Sequence, residues 1–533
     1  MKFDVGNWGS VQQMVLKNYQ ESRINFLTNS HVGEPKKIGL IFFSILLLSQ
    51  QSYAQVDDIG GMSNKVKTFA GQLFVTKPKV DFTQINIQQL STFPIDVSAS
   101  TENTLESIDD QNKMFNDGII TKENTMEVNR AVYIALQRRP EITQSVALVA
   151  EKNSNIDVAE AAYFPQISGG FSLGDLTKSG NRGTQIYSIN ATQMLYDFGQ
   201  IKANVTSEKV NLFISQIQTL DKIDSIAYDV VDAILNINRY KNMMRIAQKQ
   251  SDGIAKIEEI AKLRARAGIS SQADSIQAES NFEAAQAGLI EQENFLQQYQ
   301  QKLRTYLGFS VKNIEFKIPE DLVVESNLYE NINYETIPSM MEAAAKVELS
   351  ILLKERVKLS NYPTVNLKGT LSQAVNGINP SNNQNNGTES ALTVEVSMPI
   401  YEGGARSAKA KSANFAEDAS KAQVNAVYLN LVEQIRILRE QVDNTQKQIR
   451  ILVKRKETAM KTRELYQEQY KLGTRSIVDL LSAEQAIHSA AQEIETAKYR
   501  IYSAIVQYIR HTGQTRNVYD LNNISIQGFK IQP

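Results

Sequence analysis

The 533-residue chain has no cysteine, three histidines, one tryptophan and a formal net charge of −1. Without cysteine there are no disulfides, no thiol nucleophiles and no thiolate metal ligands. His31, His488 and His511 are scattered, and none has a second histidine at i+3 or i+4, so they read as surface or packing residues. A charge near zero offers no basic surface that would release counterions from a polyanion, which sets nucleic acid aside. The Gly-Gly pairs at 60–61, 169–170 and 403–404 lack the strand-turn-helix context of a phosphate loop. No nucleophile, metal cluster or cofactor motif marks an enzyme, so neither catalysis nor a cofactor is expected.

Long apolar runs are scarce as well. The clearest, Ile38 to Leu48, follows two lysines and precedes Ser52-Tyr53-Ala54. This order of basic, apolar and small residues predicts a secretory signal peptide cleaved after Ala54. The run is too short to cross roughly 30 Å of hydrocarbon as a helix. The stretch before it exceeds a usual n-region, and no methionine lies between Met14 and Met62. Trp8 would leave with this segment, and no cysteine is available at the cleavage site for a lipid anchor.

What the chain does have is a long internal repeat. A 205-residue offset relates Gly268 in LRARAGISSQADSIQAESN to Gly473 in EQYKLGTRSIVDLLSAEQA, and it also relates Gly199 in LYDFGQ to Gly404 in IYEGGA. Upstream, Pro165 aligns with Pro363 at an offset of 198, which leaves the second copy with seven extra residues in a Gly- and Asn-rich loop. Between these anchors apolar residues alternate: Ile167, Phe171 and Leu173, then 185–196, in the first copy; Val365, Leu367 and Leu371, then Leu392, Val394, Val396, Met398 and Ile400, in the second. Period two predicts two β-hairpins, closed by DLTKSGNRG and AVNGINPSNNQNNGTES.

After Gly199 and Gly404 the spacing becomes helical. Val424, Tyr428, Leu431, Ile435, Leu438, Val442, Ile449 and Leu452 follow steps of four and three, with Thr445 in the missing place, which is a heptad seam. At about 1.5 Å per residue, a helix of about 65 residues spans roughly 100 Å. Gly268 and Gly473 then supply the left-handed backbone that ends one helix before an antiparallel one begins at Ser271 or Ser476. Four strands with one apolar and one polar face cannot close their edges within one chain. Strands of about ten residues alternating in this way fit an outer-membrane barrel, and sharing the barrel between subunits closes the edges.

From about Glu127 to Gly513 the sequence resembles the TolC-type outer-membrane channels, the exit ducts of efflux pumps and type I secretion systems. The marks are AVYIALQRRPEI, the YFP and NYP strand starts, LYDFG and IYEGGAR with Tyr196, Gly199, Tyr401 and Gly404, and KLGTRSIVDLLSAEQ. The resemblance implies a fold that is mainly α with membrane β: a homotrimer whose twelve strands form one barrel continuous with a long periplasmic α-helical barrel. It implies outer-membrane lipid, a periplasmic adaptor (membrane fusion) protein and an inner-membrane ABC or RND-type transporter as partners. The turns at Gly268, Gly473 and Thr474 would be the periplasmic tips where adaptors dock. A gate latch would join Asp274 to Tyr470. In the family a threonine just before that aspartate holds the arginine here represented by Arg475; Ala273 stands there, so Arg475 needs another acceptor, for which Asp274 is the candidate. Asp479 would form one pore-lining acidic ring, while Ser482 replaces the second. Apart from the resemblance, Asp274 and Asp479 read as first-turn carboxylates favoured by the helix dipole.

The expected organisation is a leader and pre-extension (1–54), a periplasmic extension (55–126), the first repeat (127–308), an equatorial linker (309–337), the second repeat (338–513) and an equatorial tail (514–533). Missing the lipidation cysteine favours the secretion and general-purpose branch. The rival reading is a periplasmic coiled-coil adaptor or scaffold, although adaptors usually carry one such hairpin between lipoyl-like and β-barrel domains.

Overall fold

The computed structural model describes residues 125–174, 184–318, 322, 326–379 and 381–531. The expected leader, the extension up to residue 124 and the first hairpin loop, 175–183, lie outside the described residues.

The chain opens with β1 (Thr125–Glu127), α1 (Val128–Arg138) and α2 (Pro140–Glu160). Then come β2 (Gln166–Gly174), β3 (Thr184–Tyr196), α3 (Gln200–Arg266) and α4 (Gln272–Leu307). After β4 (Glu315–Lys317) the plan repeats as α5 (Pro338–Leu359), β5 (Thr364–Val375), β6 (Thr388–Ser397), α6 (Ala405–Lys471) and α7 (Ile477–His511). A tail of α8 (Thr515–Val518), β7 (Ser525–Ile526) and β8 (Phe529–Lys530) follows. Both long helices, α3 and α6, have 67 residues, roughly 100 Å at the α-helical rise.

The two hairpins join into one antiparallel sheet of order β2-β3-β5-β6. The register lines up equivalent residues in rows. Ile167, Ala191, Gly369 and Leu392 form one such row, and Phe171 faces Tyr187 in another. Side chains alternate across a strand, so these rows put Ile167, Phe171, Leu173, Tyr187, Ile189, Leu371, Leu392, Val394 and Val396 on one face, and all nine are exposed. The other face carries Gln166, Ser168, Asn190, Thr192, Lys368, Thr370 and Glu395, with Lys368 Nζ 2.5 Å from Glu395 Oε2. Among the described residues β2 and β6 each have a free edge.

In one respect the strand pattern differs from expectation. Alternation carries the second return strand through Met398 and Ile400, but β6 ends at Ser397. Pro399 has no N–H to give the ladder, so pairing stops before it, and Met398 and Ile400 stand exposed.

The principal core lies where the middles of the long helices meet the linker and tail. Ile223, Val230, Ile234 and Ile237 of α3 pack with the heptad residues Leu431, Ile435, Leu438 and Val442 of α6 and with Ile505 and Tyr508 of α7. Phe309, Val311 and Phe316 of the linker and Leu521, Ile526 and Ile531 of the tail complete the same cluster. β1 pairs in parallel with β4 beside this core, so the described chain begins at its middle. A second, smaller core closes the far end of the long helices: Ile254, Ile257 and Ala261 of α3, Ala278 and Ala285 of α4, Tyr470 of α6, and Ile477, Leu480 and Leu481 of α7.

Candidate functional site at the paired helical tips

Both tip turns have the same construction. At the end of α3, Gly268 has φ +69°, its N–H donates to Ala265 O (3.1 Å), and Ile269 N donates to Arg264 O (2.9 Å). At the end of α6, Gly473 has φ +76°, its N–H donates to Tyr470 O (3.0 Å), and Thr474 N donates to Gln469 O (3.0 Å). These are Schellman turns, in which a left-handed residue lets two N–H groups reach back to carbonyls the helix leaves open. Each returning helix is capped by a serine. Ser271 Oγ accepts from Ala273 N (3.1 Å), and Ser476 Oγ accepts from Asp479 N (3.3 Å). Asp274 and Asp479 both lie in first turns, where the helix dipole favours a carboxylate.

The side-chain contacts of these residues differ from those that the resemblance implies. Asp274 and Tyr470 are not hydrogen-bonded: Tyr470 Oη is buried and has no hydrogen-bond partner among the described residues. The ring sits in the tip core, with the Arg264 guanidinium 4.9 Å from its centroid. Burial raises the Tyr470 pKa, Arg264 opposes that shift, and the Asp274 charge adds to it. Arg475 does not turn to Asp274 either. Its Nε lies 3.6 Å from Asp479 Oδ2, and its guanidinium lies 4.1 Å from the Tyr466 ring centroid. Arg475 stands just before the serine cap of α7 and Asp479 in the first turn of that helix, so the contact is local to one turn of chain. Asp479 also accepts from Ser476 Oγ (3.0 Å).

Two groups that sequence reasoning passes over are prominent here. Arg264 Nη1 donates to Lys471 O (3.1 Å), linking the end of α3 to the end of α6; its only sequence signal is a basic residue in a last helical turn. A little above the tip, Glu484 and His488 are both buried, with His488 Nε2 3.1 Å from Glu484 Oε1 and Arg463 Nε 3.6 Å from Glu484 Oε2. Gly253 of α3 makes room for that carboxylate, since a Cβ there would lie 2.2 Å from Glu484 Oε1.

At the other end of the long helices, Gly199 and Gly404 precede α3 and α6 with φ +94° and +85°. Asp197 Oδ1 accepts from Gly199 N (2.9 Å). Tyr196 packs edge-on against Phe198 (4.7 Å), which stacks on Tyr362 (5.2 Å), and these three rings and Tyr401 are all exposed. Aromatic residues at the end of an apolar band suit a membrane–water boundary. Among the described residues no group of side chains could hold a metal ion, and no helix is long and apolar enough to cross a membrane.

The model of the outer membrane efflux protein family matches residues 131–309 and 335–514. The chain belongs to that family. The two matched stretches coincide with the two copies of the repeat. Outer membrane protein TolC of Escherichia coli K12 is 21% identical over 399 residues, covering 71% of this chain and 79% of that protein. Nodulation protein T of Rhizobium leguminosarum bv. trifolii is 21% identical over 367 residues, covering 65% of this chain and 77% of its own. Among solved structures, the outer membrane protein VceC from Vibrio cholerae has a TM-score of 0.62 at 16% identity, covering 72% of this chain and 96% of that one. The Campylobacter jejuni CmeC outer membrane channel has a TM-score of 0.61 at 15% identity, covering 73% and 86%. Family members are channels rather than enzymes, and the protein is located in the outer membrane of a Gram-negative bacterium with a large periplasmic part.

Proposed function

We propose that three copies of the chain close one twelve-stranded barrel above a twelve-helix periplasmic tunnel, forming the exit duct of a tripartite efflux pump or type I secretion system. The observation that carries this is the four-stranded sheet, whose two edges are free among the described residues and which has one exposed apolar face, continuous with two 67-residue helices. Lipid covers the apolar face, the neighbouring subunits pair the edges, and the polar face lines water. The duct is passive: substrate moves through it, and an inner-membrane ABC or RND-type transporter supplies the energy.

The tips around Gly268, Gly473 and Thr474 form the periplasmic entrance, where a periplasmic adaptor docks. With the tips closed, three Asp479 carboxylates converge, repel one another and draw cations. Docking shifts the population toward an open tip. Arg475 and Asp479 act together on this reading, as the pair that sets the charge at the mouth, while Tyr470 contributes its ring to the tip core.

Because the chain has no cysteine, introduced thiols are the only ones. Ser168→Cys on β2 with Thr393→Cys on β6, and neighbouring pairs along the same edges, should give trimer-sized cross-linked products from outer membranes. Planar bilayers containing the purified protein should show a small cation-selective conductance. A monomer without cross-links or conductance would discard the barrel and return the coiled-coil adaptor or scaffold reading.

A further inference from the structure

A Schellman turn leaves part of a helix end open. At the end of α6 it occupies the carbonyls of Gln469 and Tyr470 but not that of Lys471, which is the next orphan acceptor at the negative pole of a 67-residue helix. Arg264, in the last turn of α3, fills that place. Its Nη1 donates to Lys471 O (3.1 Å), its guanidinium lies 4.9 Å from the Tyr470 ring centroid, and its Nη2 would lie 3.7 Å from a Cβ at Gly473. One cation therefore meets a backbone acceptor, a helix pole and an aromatic face, all belonging to the other hairpin. The equivalent position in the second copy is Gln469, an uncharged amide that places no cation at the end of α3. The contact runs one way.

We infer that Arg264 is the positioning residue that clasps the two tips of a subunit together, holding α6 against α3 through the Lys471 carbonyl and the Tyr470 ring. Its role in gating rests on the reading of the tips as a gate. The acceptor is backbone, so the clasp does not depend on the side chain at 471, and it needs neither the Asp274–Tyr470 bond nor a threonine for Arg475. A lysine in place of Arg264 keeps the charge at the helix pole but loses the planar group that stacks on the ring while donating.

The test uses the full-length protein with two readouts. Spin labels at Leu263→Cys and Leu472→Cys, both exposed positions in a chain without native thiols, report the separation of the tips. Planar-bilayer recordings report opening. Arg264→Ala should broaden the label distances and raise the open population roughly tenfold, equivalent to about 1.4 kcal/mol. Arg264→Lys should fall between Arg264→Ala and the parent, and Gln469→Ala should match the parent in both readouts. Unchanged label distances in Arg264→Ala would overturn the clasp, whatever the conductance. Broadened distances with unchanged conductance would uphold the clasp and count against the gate.

Discussion

The two copies of the repeat share their order of elements and the geometry of their helical turns, and differ in what their equivalent side chains do. The turns at Gly268 and Gly473 match in backbone hydrogen bonding, yet the first offers Arg264 as a donor while the second offers the Lys471 carbonyl as its acceptor. Glu279 is exposed beside Lys262 (3.4 Å), whereas its counterpart Glu484 is buried with His488 and Arg463. Asp224 is 1% exposed where its counterpart Leu429 is 58% exposed. A duplicated hairpin that kept identical surfaces would present like to like. Divergence at equivalent positions lets one copy dock on the other, with Gly253 of the first making space for Glu484 of the second.

The same substitution at equivalent sites can break this comparison. Glu484→Ala should destabilise the protein by about 3 kcal/mol, because removing one member of a buried charged group strands the others. Glu279→Ala should cost less than about 0.5 kcal/mol, since exposed pairs contribute little. Equal shifts in denaturation midpoint would show that burial does not separate the two copies.

Asp224 gives a pH-dependent test. Burial pushes its carboxyl pKa from 3.8 up to about 7, against the pull of Arg516 and Arg510 and with a push from Asp221, and neither carboxylate oxygen has a hydrogen-bond partner among the described residues. A raised folded pKa makes its contribution greatest below about pH 4 and lost as pH rises through about 7. The linkage limit for such a shift is about 4 kcal/mol. Asp224→Asn should therefore be more stable than the parent at pH 8, by about 2 kcal/mol because the amide also lacks partners, and should lose that advantage at pH 4. Thermal melts at the two pH values measure it, and an advantage independent of pH would contradict a buried proton.

The turns themselves should respond alike. Gly268→Ala and Gly473→Ala each place a Cβ in left-handed backbone and should each cost about 1 kcal/mol. Unequal costs would mean that the turns are less alike than their hydrogen bonds. Smallest of all, Tyr470→Phe removes a buried hydroxyl with no hydrogen-bond partner among the described residues, so melts should show a slight gain in stability. A clear loss would restore the side-chain bond that the resemblance implied.

Much of the architecture is legible because periodicity is a local property. Leu431, Ile435, Leu438, Val442 and Leu452, with Thr445 in the missing place, are the buried seam of α6, and the Schellman turns fall at the glycines that the repeat aligns. Pro399 also announces the end of β6, although alternation alone runs past it. The partners of the polar residues are not legible. His488 reads as a packing residue, and only the fold brings Arg463 and Gly253 to its Glu484. Arg264 reads as an ordinary basic residue near a helix end.

By itself the sequence determined the strands, the long helices, the turns between them and the duplication, because spacing along one chain decides which side chains share a face. Only the tertiary structure decided that β3 pairs with β5, that Arg264 reaches Lys471 and that Arg475 stays with Asp479. Arg264 and Lys471 lie 207 residues apart along the chain, so their meeting depends on which face of one hairpin packs on which face of the other. A hydrogen bond is made or lost over a few tenths of an ångström, a distance that no periodicity encodes.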